Sequence, residues 1–314
     1  MTKKNETGGV CKNTKVAVIG AGSVGATTAF SLLTTEVVDH LVIFDKDGAK
    51  AEGIALDLSH ASPFTPNVDI KGSSNYDDLA QTDIFVITAG KRQATGETRL
   101  DLTKANKAIF DELIPNLVQQ SPNAIFIMVT NPVDILTQYA ITKFHLSPQR
   151  VFGTGTMLDT ARFQETIAHK IGVSPHSIDA YILGEHGDSS FPVLSCATVA
   201  GTPLASFPGM SETILRESFT ETKNAAYKII NDIGYTCYSI AMVVSTLVKA
   251  IAHNSHEAFM LSTLVSNYYG VSDVCLSVPV IVGQNGIESH VDLPLNNEEV
   301  ECLKNSAKIL KSFQ

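Results

Sequence analysis

The sequence lacks the features that mark several protein classes. Its five cysteines are odd in number and widely spaced, and they form neither a Cys-x-x-Cys pair nor a metal-ligand cluster. No apolar run reaches the ~18 residues that a membrane-spanning helix requires. Residues 1–14 are polar and have no apolar core of the kind found in a secretory signal. We therefore expect a cytoplasmic protein with reduced thiols, a loose N-terminal tail over residues 1–14 and no bound metal.

Clustered positive charge is missing as well. The net charge is −9 and the basic residues are scattered, whereas nucleic-acid phosphates require a clustered basic surface. There is no low-complexity tract and no short internal repeat, and 44% of the residues are hydrophobic, so the chain should fold. A length of 314 residues favours two domains. We expect neither nucleic acid nor a membrane among the partners.

A glycine-rich turn between a strand and a helix is the first feature with a chemical meaning. Residues 15–19 are apolar and β-branched, which predicts a buried parallel strand, and a helical pattern follows through about residue 35. The turn between them matches G-x-G-x-x-G, whose glycines allow a tight turn, a close approach to a pyrophosphate and close packing of helix on strand. The predicted phosphate-binding residues at the helix N-terminus are Gly20, Gly22, Ser23, Val24 and Gly25.

Asp45 supports a dinucleotide site at this turn. It ends a second predicted strand, residues 41–44, and follows Gly25 by the spacing of about 20 residues that is typical of such sites. Its carboxylate would accept hydrogen bonds from the adenosine ribose and repel a 2′-phosphate, so NAD is favoured over NADP. The alternative is a tight strand-to-helix turn that binds no ligand.

Strands and helices alternate through the first half of the chain, which predicts an α/β fold with a doubly wound parallel sheet of the Rossmann type. We assign residues 15–153 to this NAD-binding domain and residues 154–314 to an α+β substrate domain. The predicted strands of the first domain are residues 15–19, 41–45, 68–71, 83–88, 124–129 and 150–152, with helices at 48–59 and 102–120. For the second domain we predict helices at 158–171, 211–232, 234–252 and 297–312, and antiparallel strands at 258–266, 274–283 and 287–293.

Two motifs stand at the carboxyl ends of predicted strands, where such sheets bind their ligands. The fourth strand ends in Thr88, Ala89 and Gly90, which are small enough to let a cofactor pass close to the backbone. The fifth strand ends just before Asn131, whose amide could hydrogen-bond both a cofactor and a substrate. The alternative for Asn131 is an ordinary turn asparagine or a helix cap.

Two later segments predict an acid/base group. Asp159 and Arg162 share one face of a predicted helix, and His186 lies between glycines that let the backbone bend. A histidine, with an ordinary pKa of about 6.5, transfers protons near neutrality, and a buried carboxylate can orient it. An arginine can bind a substrate carboxylate through two hydrogen bonds, so the set suits redox chemistry on a 2-hydroxy or 2-keto acid. Taken singly, these residues would indicate a surface ion pair and a structural histidine.

A polar loop, residues 91–99, follows the fourth strand at the edge where a substrate should lie. Gly96 could act as its hinge. If the loop closes as a lid, it excludes water and brings Arg99 to the reacting carbonyl. The alternative is a solvated surface loop.

These motifs together resemble the lactate/malate dehydrogenase family over nearly the whole chain. The segments that carry the resemblance are GAGSVG, ITAGKRQATGETRLDL, TNPVDIL, GTGTMLDTAR and LGEHGDSSFPV. The resemblance implies that His186 is the acid/base, that Asp159 is its partner and that Arg162 binds the substrate carboxylate. It also implies that Arg99 polarises the carbonyl and that Asn131 orients nicotinamide and substrate. We further expect NAD as cofactor, no metal, and a homo-oligomer, with a tetramer as the expected form.

The resemblance also bears on the substrate. Malate-specific members have an arginine six positions before the polarising arginine, whereas Gln93 stands there in this sequence, and a neutral amide cannot offset the desolvation of a second carboxylate. Thr236 matches the position that narrows the pocket in lactate-specific members. Both residues favour pyruvate and L-lactate, the pair of the closing step of fermentative glycolysis. The alternatives are a malate or other L-2-hydroxyacid dehydrogenase and, more remotely, a non-catalytic NAD-binding protein.

Two further positions bear on regulation. Many bacterial members resemble one another in an activator site for fructose 1,6-bisphosphate, with an arginine two residues after the carboxylate-binding arginine and a histidine seven before the catalytic histidine. Here those positions hold Gln164 and Asp179. A phosphate site would thereby lose one positive charge and gain a repulsive one. We expect the protein to resemble the members that this sugar bisphosphate does not activate.

Overall fold

Twelve strands and eight α-helices are found in the computed structural model, which describes residues 14–91 and 99–313. The strands are β1 (Lys15–Ile19), β2 (His40–Phe44), β3 (Asp69–Ser73), β4 (Ile84–Ile87), β5 (Ile125–Met128), β6 (Val151–Gly153), β7 (Ile178–Leu183), β8 (Phe191–Val199), β9 (Thr202–Pro203), β10 (Glu257–Val265), β11 (Val274–Gly283) and β12 (Gly286–His290). The helices are α1 (Ser23–Leu32), α2 (Gly48–Ser59), α3 (Arg99–Gln120), α4 (Val133–Phe144), α5 (Met157–Ile171), α6 (Glu212–Ile233), α7 (Tyr238–His253) and α8 (Asn297–Lys311).

The larger sheet has nine strands in the order β12-β11-β10-β6-β5-β4-β1-β2-β3. Its six strands from β6 to β3 are all parallel, which confirms the predicted doubly wound sheet. The three strands β10 to β12 are antiparallel, as predicted, and they extend the parallel sheet because β10 pairs with β6 at Ser262 and Gly153. The sequence pattern did not predict this continuity. The domain boundary at residues 153 and 154 stays a prediction.

Helices cover both faces of the parallel strands. Successive residues of β1 point to opposite faces, so Val16 and Val18 pack in one core while Ala17 and Ile19 pack in another. The first core includes residues of α1, α2 and α7, and the second includes residues of α3 and α4. A strand that is buried on both faces needs a continuous apolar sequence, and β1 has one. Within residues 14–91 and 99–313, no helix is both long and apolar enough to cross a bilayer.

A smaller antiparallel sheet, β7-β8-β9, packs with α5 and α6 around a third core. These strands were not predicted from the sequence, although β7 alternates buried and more exposed residues along most of its length. At the end of β7, Gly184 forms an isolated antiparallel bridge to Ser277 of β11. This bridge joins the two sheets, and it places the segment after β7 near the first turn of α5.

Candidate active site

Three charged side chains meet where α5 approaches the end of β7. Asp159 lies in the first turn of α5, Arg162 follows one turn later, and His186 lies just after β7. His186 Nδ1 is 2.6 Å from Asp159 Oδ2, and Arg162 Nη1 is 3.3 Å from Asp159 Oδ1. The imidazole is 27% exposed and the other two side chains are 15% exposed, so the cluster is accessible to a small molecule. The structure therefore brings together the three residues that the sequence predicted as an acid/base group.

Opposite charges set the protonation of this cluster. Burial by itself would raise the pKa of Asp159, but the charges of His186 and Arg162 outweigh burial and lower it. Burial by itself would lower the pKa of His186, but the charge of Asp159 and its hydrogen bond outweigh burial and raise it. Because Asp159 stays ionised, it accepts a hydrogen bond from His186 Nδ1–H, which leaves Nε2 as the nitrogen that can exchange a proton with a substrate. The cluster can therefore deliver a proton from a fixed position near neutral pH.

The main chain that carries His186 is held by neighbouring elements. Gly184 has φ of 91° and exchanges two backbone hydrogen bonds with Ser277, of 3.0 and 2.8 Å. A Cβ atom on Gly184 would lie 2.5 Å from Ser306 Oγ, so no larger residue fits there. The same Ser306 hydroxyl donates to the carbonyl oxygen of Ser189 at 2.6 Å, which ties the segment to α8. These contacts limit the positions that the imidazole can take.

Asp134 is a functional candidate that our sequence analysis missed. It lies in the first turn of α4 and is 1% exposed, and its Oδ2 accepts a hydrogen bond of 2.8 Å from the His186 N–H. Burial raises the pKa of this carboxyl group to about 6, although Ser262 and His186 act in the opposite direction. A signal was present, because the acid stands in the apolar run Val-Asp-Ile-Leu, where a buried charge requires a partner.

The glycine-rich turn has the shape that a dinucleotide requires. Gly20 has φ of 109°, and a Cβ atom there would lie 2.7 Å from Ala89 N. A Cβ atom on Gly25 would lie 1.8 Å from Gly20 O, so α1 could not approach β1 with a larger residue. At Gly22, by contrast, a Cβ atom would meet nothing within 4 Å, which leaves open space beside the backbone. Gly22 is also the N-cap of α1 and offers no side chain to the first N–H groups, so they remain for a phosphate.

The other predicted cofactor residues lie at the same edge of the sheet. Asp45 follows β2, and its Oδ2 accepts a hydrogen bond of 2.7 Å from Ala21 N–H in the turn. The Thr88 hydroxyl lies 3.0 Å from two carbonyl oxygens at the end of β1. A Cβ atom on Gly90 would lie 2.3 Å from Thr130 Cγ2, so the chain passes closely here. The turn, the acid and the small residues of this edge fit NAD.

In the structure Asn131 has the contacts of a turn asparagine at the start of a helix, which was the alternative interpretation of this residue. It precedes a cis peptide bond to Pro132, and its Oδ1 lies 3.3 Å from Val133 N at the start of α4. Its carbonyl oxygen accepts a hydrogen bond of 2.8 Å from Nδ2 of Asn106, a fully buried residue of α3. Asn106 Oδ1 also accepts the N–H of Lys91 at 2.7 Å. Asn106, which our sequence analysis did not single out, therefore links the start of the predicted lid to the Asn131 turn.

The three remaining predicted residues belong to the predicted lid and substrate pocket. Gln93 lies outside the described residues. Arg99 is the first residue of α3, and only its backbone is described. Thr236 is partly buried in the connection between α6 and α7. The roles of these residues in the lid and pocket therefore stay predictions.

The two positions that bear on regulation lie on α5 and β7, which pack against each other. Gln164 Nε2 on α5 donates to the carbonyl oxygen of Ala180 on β7 at 3.2 Å, and Asp179 is the exposed residue just before it. Asp179 Oδ2 lies 3.4 Å from the Thr198 hydroxyl of β8. Gln164 therefore binds the residue that follows Asp179.

Comparison with known proteins assigns both halves of the chain. Residues 14–153 match the family model for the lactate/malate dehydrogenase NAD binding domain, and residues 156–313 match that for the lactate/malate dehydrogenase alpha/beta C-terminal domain. The chain belongs to the lactate/malate dehydrogenase family. The predicted NAD cofactor is confirmed by this membership, since the first of the two domains is the family's NAD-binding domain.

Other members of the family are similar to this chain over nearly its full length. An L-lactate dehydrogenase of Acetivibrio thermocellus is 42% identical over 304 residues, which cover 95% of this chain and 96% of that protein. An L-lactate dehydrogenase of Bifidobacterium animalis subsp. lactis is 41% identical, with 96% of each chain covered. The crystal structure of minor L-lactate dehydrogenase from Enterococcus mundtii in the ligands-bound form superposes with a TM-score of 0.92 at 36% identity, covering 96% of this chain and 97% of that one.

Proposed function

We propose that this family member is an NAD-dependent L-lactate dehydrogenase, which interconverts pyruvate and L-lactate. The observation that carries the proposal is the cluster of His186, Asp159 and Arg162, in which one histidine has an ionised partner and one arginine remains accessible. The names of its similar relatives support the same activity. A non-catalytic NAD-binding protein would have no use for this arrangement.

The residues of the cluster have separate tasks in the proposed reaction. NAD, when bound at the glycine-rich turn, supplies the hydride chemistry. Arg162 keeps donors beyond the one that reaches Asp159, and these bind the substrate carboxylate as a bidentate pair. His186, held protonated by Asp159, gives its proton from Nε2 to the keto oxygen as negative charge develops there. We propose that Arg99 polarises the same oxygen and that Asn131 orients nicotinamide and substrate.

Pyruvate is the substrate that we expect to react fastest. We propose that Gln93 and Thr236 shape the pocket beside the substrate's variable group, where a second carboxylate would find no cation. The test measures NADH oxidation with pyruvate, oxaloacetate and 2-ketoisocaproate at matched concentrations. We expect kcat/KM for pyruvate to exceed that for oxaloacetate by about a hundredfold or more. A ratio that favours oxaloacetate would assign the chain to the malate branch instead.

Fructose 1,6-bisphosphate should leave the enzyme unchanged. Gln164 offers no positive charge and Asp179 adds a negative one, so the paired phosphates lack a favourable site. We expect the pyruvate KM to stay the same, within error, when millimolar sugar bisphosphate is added. A sharp fall in KM would show that other residues form an activator site.

We propose that the chain associates with copies of itself, as a tetramer. Large apolar side chains of the α1 and α7 pair are exposed: Phe30 by 54%, Tyr238 by 66% and Met242 by 59%. Such clusters on a protein surface commonly mark contacts between subunits. Sedimentation velocity at micromolar concentration checks this, since a monomer mass would contradict it. A cytoplasmic location stays a prediction, with which the free thiols of the four described cysteines agree.

A further inference from the structure

Asp134 is a buried carboxylate that touches the catalytic segment but has no place in the mechanism above. It is the second residue of α4, two positions after Pro132 of the cis peptide, and it binds the main chain of His186. Burying a carboxylate costs several kcal/mol unless its environment compensates, so an uncompensated one points to a function.

The two oxygens of Asp134 have different surroundings. Oδ2 accepts the His186 N–H at 2.8 Å. Oδ1 is buried and accepts no hydrogen bond from the described residues, and the buried Ser262 hydroxyl, although close, does not reach hydrogen-bonding geometry. An asparagine could place one oxygen on His186 N–H just as well, so main-chain anchoring alone does not require an acid at this position.

We propose that Asp134 is a positioning residue of the acid/base, whose carboxylate holds the main chain of His186 and adds a second negative charge that stabilises the protonated imidazole. Asp159 provides the first such charge at Nδ1. The second charge acts through space rather than through a bond to the ring, because the hydrogen bond from Asp134 ends on the backbone nitrogen. In a buried site such a charge is screened far less than it would be at the surface.

The groups that face Asp134 decide whether its charge persists. His186 favours the ionised form and Glu185 opposes it. Burial keeps Cys275 of β11 neutral by raising the pKa of its thiol, so that residue adds no charge. Lys107 of α3 lines the same cavity of about 220 Å³ as Asp134 and provides a nearby cation. Among the described residues, the other charged groups that act on the imidazole are Asp159 and Arg162 of α5.

The direction of the effect follows from these charges. The pKa of Asp134 is raised to about 6, so the group is ionised at pH 7 and above. An ionised Asp134 raises the pKa of His186, which extends the pH range in which pyruvate meets a protonated imidazole. Removing this charge should lower the pKa of His186. The pH above which the rate of pyruvate reduction falls should then be lower than in the wild type.

The test is the pH dependence of kcat/KM for pyruvate in Asp134→Asn, beside wild type and Asp111→Asn. Asparagine keeps an acceptor for His186 N–H and removes only the charge. We expect the alkaline limb of the kcat/KM profile of Asp134→Asn to lie roughly one pH unit lower than that of the wild type. The pyruvate KM at alkaline pH should rise about tenfold, with NADH affinity unchanged. Asp111→Asn removes an exposed carboxylate, which accepts a hydrogen bond of 2.6 Å from the Tyr139 hydroxyl beside the same cavity. The pH profile of this variant should match that of the wild type, because water screens the charge of Asp111.

A second measurement applies if Asp134→Asn does not fold. In wild-type protein with 15N-labelled histidine, the His186 ring signal should show its own titration and a smaller inflection near pH 6 from Asp134. The inference rests on the proposed function, and the wild-type assay separates the two. A wild type that is inactive with pyruvate overturns the function. An active wild type whose pH profile coincides with that of Asp134→Asn, or whose His186 signal shows no second inflection, overturns the role of Asp134 alone.

Discussion

Replacing His186 by alanine is expected to lower the turnover of pyruvate by roughly 10²- to 10⁴-fold, while NADH binding survives. The imidazole is the cluster's proton donor, and its partner Asp159 has a lowered pKa and cannot supply a proton at neutral pH. The glycine-rich turn that we assign to NADH is formed by β1, α1 and β2, which do not include His186. Steady-state rates at pH 7 give the loss of turnover, and fluorescence titration gives the NADH affinity.

His176→Ala is the matched control for this variant. His176 is an exposed residue on a short turn before β7, so its removal should leave the rate within about twofold of wild type, as surface changes commonly do. Near-normal turnover in His186→Ala would contradict the assignment of the proton donor. Loss of NADH binding together with turnover would instead indicate that the variant is misfolded.

The parallel sheet could be predicted because its signals are local. The apolar run of β1, the glycines that follow and Asp45 at the end of β2 all lie within one β-α-β unit. Local signals also give the three residues of the acid/base cluster, since Asp159 and Arg162 share a helix turn and His186 stands between glycines. Periodicity and turn chemistry act over a few residues, and these features require nothing more.

Several features that were missed gain their roles from contacts between distant parts of the chain. Asp134 is a candidate because it binds the His186 N–H, and Asn106 is one because it binds the Asn131 carbonyl oxygen. Neither pair of residues produces a periodic pattern in the sequence. The pairing of β10 with β6 is likewise a single long-range register, Ser262 with Gly153. Such contacts follow from the packing of whole elements, which local propensity does not encode.

Helix ends show the same limit on a smaller scale. The pattern predicts that the helix after α6 begins at residue 234, but α7 begins at Tyr238. Gly234 has φ of 84° and ends α6 in the left-handed conformation, so the chain must leave the helix before it can start another. The residues between the two helices carry Thr236, whose predicted place in the substrate pocket therefore depends on a connection rather than on a helix face.

Replacing Arg162 by glutamine is expected to lower kcat/KM for pyruvate by roughly thirty- to several thousand-fold, because a buried carboxylate that loses its cation costs about 2–5 kcal/mol. Arg162 is 15% exposed and points one nitrogen at Asp159, so water cannot replace it fully as a partner for the substrate. The loss should appear mainly as a higher KM, since the substrate carboxylate is present in both the ground state and the transition state.

The pH profile separates carboxylate binding from a merely structural role for Arg162. The guanidinium lowers the pKa of His186, although burial and Asp159 have larger effects, so Arg162→Gln should move the alkaline limb to higher pH even as it weakens binding. Arg216→Gln, an exposed change on α6, should alter neither KM nor the pH profile. An Arg162→Gln enzyme with an unchanged pyruvate KM would exclude this residue from carboxylate binding and leave it only as the ion-pair partner of Asp159.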